Sequence, residues 1–256
     1  MKVCVLASWS SGNCTFIEIA GQRFLVDAGI SARRVVEGLR EIGEKIEDID
    51  GILLTHEHSD HIRGIPRLLE KYKLRLYANR ETYKTLYLTT VRSGQWIELT
   101  REALTVDQIE IQPFSINHDA IDPIGFRLSN SHASVGVVTD IGSMTKMVQE
   151  RLAGVTVLVM EANYDHEMLI NGPYPWDLKQ RIASRLGHLS NADCGEFLSE
   201  QANDGLRHVF LAHRSEHNND PQLSLDTVQK VLTKNGVTAP PIQLTHQKKI
   251  ATPWVG

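Results

Sequence analysis

Residues 56–61 read His-Glu-His-Ser-Asp-His and bring three imidazoles and the Asp60 carboxylate into six positions. Neutral imidazole and carboxylate together suit zinc, manganese or iron. Zinc or manganese is the expected occupant, with iron and magnesium as alternatives. His56 and His58 alternate, so both point the same way from an extended segment. Asp60 and His61 come after the chain turns into a helix and can face a second ion. The plain alternative is a histidine-rich surface loop, which the density of ligand types disfavours.

Two ions need about eight to ten donor positions, so more ligands must arrive from elsewhere. His118 follows an expected strand at Ile109–Ile116, Asp140 follows Ser134–Thr139, and His213 follows His208–Ala212. A lone polar residue at a loop start is ordinarily a surface group. Three of them, each directly beyond a strand, are candidate ligands together.

The elements that must position these groups are short. Strands are expected at Lys2–Leu6, Thr15–Ile19, Phe24–Asp27, Ile49–Leu54 and Leu74–Ala78, then at Trp96–Leu99, Gly125–Leu128, Val155–Met160 and Ile242–Thr245. Helices are expected from a Ser31 cap to a Gly43 stop, through Leu68, Leu69 and Tyr72, and at Glu81–Val91, Ser143–Leu152, Asp177–Leu186, Asn191–Gln201 and Leu225–Leu232. Strands both in hairpin clusters and between helices imply helices packed outside sheets. The 256 residues read as one domain over 1–256.

Bulk properties exclude several classes. With 41% hydrophobic residues, a net charge of −4 and no apolar run long enough to span a bilayer, neither a polyanion-coating protein nor a membrane protein is expected. The three widely spaced cysteines, Cys4, Cys14 and Cys194, form no disulfide framework and fit a reducing, cytoplasmic setting. No protein partner can be inferred.

Thr55-His-Glu-His-Ser-Asp-His resembles the HxHxDH signature of the metallo-β-lactamase superfamily, and Val26-Asp27-Ala-Gly resembles its upstream aspartate motif. His118, Thr139-Asp140 and Ala212-His213 fall in the order of its remaining ligand motifs. The resemblance implies a four-layer αββα sandwich with the site at one edge. It also implies that one metal takes His56, His58 and His118 and the other Asp60, His61 and His213, with Asp140 bridging. Asp27 would orient the ligand loop from behind. Asp60, Asp140 and His188 would be the catalytic groups, His188 by contacting the scissile phosphate or protonating the leaving group. The bland reading of His188 is a helix-flanking polar residue, with Ser190 or Asn191 as the N-cap.

Further blocks narrow the resemblance: Ser10-Ser-Gly-Asn13-Cys-Thr, Glu161-Ala-Asn-Tyr-Asp165, Gly172-Pro-Tyr-Pro175, Gly187-His-Leu-Ser-Asn191 and His213-Arg-Ser-Glu-His-Asn-Asn219. Together they are similar to the WalJ (YycJ-like) family, which implies 5′-to-3′ exonuclease action on double-stranded DNA. Trp9, Tyr164, Arg214 and His217 depart from that family's pattern without removing a proposed ligand.

Two ions about 3.5–4 Å apart can deprotonate a water held between them. Counting two divalent ions, hydroxide, Asp60 and Asp140 leaves roughly one positive charge, which favours an anionic substrate such as a phosphodiester. Lys179, Arg181 and Arg185 are candidate phosphate contacts, and Arg63, Arg67, Lys71, Lys73 and Arg75 form a second basic segment after the metal loop. Asn13 is a further candidate substrate-binding residue, which otherwise closes a plain turn or orders the metal edge. The rival functions are a small-molecule hydrolase of the same fold (cyclic phosphodiesterase, lactonase or thioesterase) and a non-enzymatic metal-binding domain.

Overall fold

Alternation along the strands decides the layering. In the opening strand β1 (Lys2–Ala7), Val3 and Val5 face one apolar cluster while Cys4 and Leu6 face another. The same period of two runs through β2 (Cys14–Ile19), β3 (Gln22–Val26), β4 (Gly51–Leu53), β5 (Arg75–Ala78) and β6 (Trp96–Glu98). The second half supplies β7 (Leu104–Val106), β8 (Ile109–Ser115), β9 (Ile124–Ser129), β10 (Ser134–Val138), β11 (Val157–Glu161), β12 (His208–Ala212), β13 (Ile242–Leu244) and β14 (Trp254–Val255). This computed structural model describes residues 1–86, 94–201 and 205–256.

The strands form two sheets of seven, ordered β14-β1-β2-β3-β4-β5-β6 and β13-β12-β11-β10-β9-β8-β7. Their facing surfaces share one core, including Val5, Ile17, Phe24, Phe126, Val159 and Phe210. Helices cover the outer faces. On the first sheet lie α1 (Ala32–Glu41), α2 (Ser59–Ile62), α3 (Ile65–Lys71) and α4 (Arg80–Thr85). On the second lie α5 (Lys146–Leu152), α8 (Asn191–Gln201) and α9 (Pro221–Lys234), while α6 (His166–Asn171) and α7 (Trp176–Ile182) pack in a small cluster of their own around Tyr164. The result is the four-layer αββα sandwich.

Where the elements depart from the sequence reading, caps and turns explain it. α5 begins at Lys146 rather than Ser143, because the Thr145 side chain accepts from the Val148 N–H. α7 stops at Ile182, where Gly187 folds back against the carbonyls of Arg181 and Ile182. α6 has its own cap, Asp165, accepting from Met168 N. β14 is two residues long and is held by pairing with β1. Part of the expected Glu81–Val91 helix lies outside the described residues. Among the described residues, no helix is long and apolar enough to cross a membrane. Cys4, Cys14 and Cys194 are free and buried.

Each sheet is parallel on one side, out to an edge strand: β3-β4-β5-β6 and β10-β11-β12-β13. Ligands gather beyond the carboxyl ends of such strands. Asp27 follows β3, the His56–His61 loop leaves β4, Asp140 follows β10, Glu161 ends β11 and His213 follows β12.

Candidate metal centre

The turns leaving those strands are tight. Asp27, Asp140 and His213 have φ of 60°, 55° and 49°. Non-glycine residues adopt this left-handed backbone at a cost of about 1–3 kcal/mol, usually where a site dictates it. Gly29 lets the chain after Asp27 run against the metal loop: a methyl there would overlap the Asp60 carbonyl.

These turns bring His56, His58, Asp60, His61, His118, Asp140 and His213 together. His56, His58 and His118 form one set whose ligand atoms lie within 4.8 Å of one another, and Asp60, His61 and His213 form another. Asp140 stands between them. Its Oδ2 is 3.0 Å from His61 Nε2, and its Oδ1 is 3.3 Å from His213 Nε2 and 3.5 Å from His118 Nε2. His58 Nδ1 and His118 Nε2 face each other at 3.3 Å.

A closed hydrogen-bond network does not account for this cluster. His56 Nε2 is buried without a hydrogen-bond partner, and His213 Nε2 and Asp140 Oδ2 are buried and, despite their close polar neighbours, make no hydrogen bond of acceptable geometry. Buried polar atoms are normally satisfied, and nitrogen and oxygen atoms converging in this way are what a divalent ion requires. The donor set therefore fits divalent metal.

Two buried carboxylates orient the rings from behind. Asp27 Oδ2 lies 2.7 Å from His61 Nδ1, while its Oδ1 accepts from the Thr55 N–H at 2.9 Å. Glu161, fully buried, does the same for the other sheet. Its Oε2 lies 2.8 Å from His213 Nδ1 and 3.2 Å from His188 Nδ1, and accepts from Asp140 N at 2.8 Å; its Oε1 accepts from Leu189 N at 2.6 Å. Holding a proton on Nδ1 leaves Nε2 free to ligate. The sequence does not single out Glu161 as a site residue. It obeys the rule that marks Asp140 and His213, a polar residue at the end of a buried strand, but the expected strand stops at Met160 and the observed one includes Glu161.

The carboxylates also set the protonation. Burial opposes charge on His61, but Asp140 and Asp27 overcome it and hold its pKa well above the ordinary imidazole value. Burial likewise opposes charge on His213, yet Asp140, Asp60 and Glu161 raise it to about 10. Glu161, together with Asp140, outweighs burial at His188 and raises it too. At His56, burial and then the charge of His61 outweigh the nearby Asp140 and push the pKa well below the ordinary value. The residual positive charge counted from Asp60 and Asp140 needs correction, because Asp27 and Glu161 add buried negative charge against the same histidines.

Over the cluster sits a pocket of about 380 Å³ whose lining includes His188, Arg181, Tyr174, Ser10 and Ser215. Arg181 reaches it, paired with Asp119. Lys179 does not line it: its ammonium donates to the Ile170 carbonyl at 2.6 Å. Arg185 is exposed and also outside the lining. Helical spacing cannot tell which of three nearby cations faces a pocket. Asn13 is buried behind the metal loop; its Oδ1 accepts from Trp9 N at 3.1 Å, and its Nδ2 lies 3.3 Å from Asp60 Oδ2. It orders the metal edge instead of lining the pocket. Ser190 caps α8, accepting from Asp193 N at 3.1 Å.

A family model described as a β-lactamase superfamily domain matches residues 22–213, and the chain belongs to that superfamily as a metal-dependent hydrolase. Within it the chain groups with exodeoxyribonucleases. It is 39% identical over 242 residues to Exodeoxyribonuclease WalJ of Streptococcus pneumoniae, covering 91% of this chain and 88% of that protein. It is 35% identical over 235 residues to Exodeoxyribonuclease YycJ of Bacillus anthracis, covering 91% and 89%. The metallo-β-lactamase fold protein YhfI from Bacillus subtilis matches in fold, with a TM-score of 0.73 at 18% identity over 100% of this chain and 98% of that one.

Proposed function

We propose that this chain is a binuclear phosphodiester hydrolase that digests double-stranded DNA from the 5′ end. The observation that carries the reading is His188. It stands on the pocket wall, its Nδ1 3.2 Å from Glu161 and 3.8 Å from Asp140, while the ligand cluster lies beneath. Relatedness to WalJ and YycJ over most of the chain supports DNA as the substrate.

His56, His58 and His118 would hold one ion and Asp60, His61 and His213 the other, with Asp140 shared; zinc or manganese suits this set, and iron or magnesium less so. Bound there, divalent metal polarises a phosphoryl oxygen and lowers the pKa of water. The chain's own residues do the rest. Asp27 and Glu161 fix the tautomers of His61 and His213. Glu161 also accepts from Nδ1 of His188 and favours the imidazolium, whose second proton, on Nε2, is suited to a leaving oxygen. Arg181 exchanges Asp119 for a substrate phosphate. The buried free thiols fit a cytoplasmic setting.

A second reading, a small phosphodiesterase, is favoured by the size of the pocket, which is near the lower end for small-ligand sites. A substrate panel separates the two: 5′-labelled duplex DNA, single-stranded DNA, RNA and bis(p-nitrophenyl) phosphate, each with zinc, manganese and magnesium. The expected result is nucleotide release from duplex DNA. Turnover of the small diester with no product from any nucleic acid overturns the nuclease reading.

A further inference from the structure

A second concavity lies beside the metal loop, between α1 and α3. It has a volume of about 620 Å³, and Arg33, Arg40, Arg63, Arg67 and Lys71 line it against one carboxylate, Glu37. Glu37 pairs with Arg33 at 2.7 Å, and Arg67 pairs with Glu70 outside the groove. Among the described residues, Arg40, Arg63 and Lys71 have no carboxylate partner within ion-pair distance. The chain as a whole carries a net charge of −4, so this concentration of cations runs against its overall balance.

The groove neighbours the pocket over the metal centre. Arg63 lines the groove two residues beyond His61, and its Nη1 donates to the Ser11 carbonyl at 3.2 Å. The neighbouring Ser10 lines the metal pocket. On the other flank, Arg34 of α1 donates to the Gln247 carbonyl at 2.5 Å, and Lys248 and Lys249, which follow Gln247 in the chain, are exposed. Cations from α1 and from the segment after the metal loop thus share one groove beside the ligand loop.

We infer that this groove binds the sugar-phosphate backbone of the nucleic acid whose end occupies the metal centre. The inference rests on the nuclease reading and adds to it a track for the part of the substrate not being cut. Phosphates repeat along a strand and are recognised by charge without sequence preference, which suits exposed Arg and Lys on adjacent helices. A small diester filling the metal pocket would not reach the groove.

The test measures binding of the metal-loaded protein to a short duplex with cleavage-resistant phosphorothioate linkages, by fluorescence anisotropy over a range of salt. The variant combines Arg40→Gln, Arg67→Gln and Lys71→Gln, all away from the ligands. A charge-matched control combines Lys146→Gln, Lys230→Gln and Lys234→Gln on α5 and α9. The groove variant is expected to weaken binding roughly tenfold or more at low salt and to flatten the slope of log affinity against log salt by about 2–3. The control should retain wild-type affinity and slope, and both variants should melt cooperatively. Equal effects of the two variants, or an unchanged slope in the groove variant, overturn the inference. Wild-type digestion of unmodified duplex is measured alongside. Its absence defeats the nuclease reading, whereas digestion with an unchanged groove variant defeats the groove alone.

Discussion

Replacing Glu161 by Gln keeps the size of the side chain and removes its charge. Four N–H donors converge on the carboxylate: Asp140 N, Leu189 N, His213 Nδ1 and His188 Nδ1. A glutamine has one acceptor oxygen. If that oxygen keeps Leu189, the amide nitrogen meets Asp140 N–H and both rings. If the amide flips, it meets Leu189 N–H. Each orientation leaves at least one buried backbone donor facing another donor, at about 1–3 kcal/mol. The His213 ring also loses the partner that holds its proton on Nδ1. Loss of such outer partners typically costs 10–100-fold in metal affinity, equivalent to about 1.4–2.8 kcal/mol. Competition with a chelator of known affinity measures this directly, and calorimetry of the metal-free protein reads the stability term. If Glu161→Gln binds metal within about twofold of wild type, Glu161 does not orient His213.

Other outcomes follow from the same geometry. Gly29→Ala should push the metal loop outward, because the new methyl overlaps the Asp60 carbonyl; a loss of about 1–3 kcal/mol in stability is expected, with a fall in metal affinity that an overpacked site elsewhere would not cause. In the metal-free protein, His61 and His213 hold protons well above the ordinary imidazole value. Their stabilising contribution is present below about pH 6.5 and, for His213, is lost as pH rises through about 10. Ligation needs the neutral ring, so metal loading near neutral pH should release about one to two protons; calorimetry in buffers of different ionisation enthalpy checks this, and zero release contradicts it. Lys2 and Arg23 flank Glu44 at 2.7 and 3.1 Å and, against the opposing effect of burial, hold its carboxyl below the usual range. Its contribution is present above the ordinary carboxylate value and disappears as pH falls through the depressed one. Glu44→Gln should therefore cost about 0.5–1 kcal/mol at neutral pH and nothing in acid, read from denaturant melts.

Most of the centre was legible because it lies where short, fully buried strands meet water. The abrupt change from Ile49–Leu54 to the His56–His61 loop marks such an edge, and so do His118, Asp140 and His213. Glu161 escaped because it is the last residue of its strand and not the first beyond it. The basic groove was half visible. Arg63, Arg67 and Lys71 stood out as a run, but Arg33 and Arg40 join them only because the fold lays α1 beside α3. Lys73 and Arg75 of the same run do not line the groove. Arg181 is separated from Lys179 by the direction in which α7 presents each side chain, and from Arg185 because α7 stops at Ile182.

Digestion of 5′-labelled duplex DNA by the metal-loaded protein, beside Asp60→Ala and His61→Ala, tests the central claim most directly. The expected result is progressive release of label by the wild type, abolished by chelator, with both variants inactive but folded. Equal release by wild type and variants, or by wild type in excess chelator, would contradict the assignment of this centre as the site of hydrolysis.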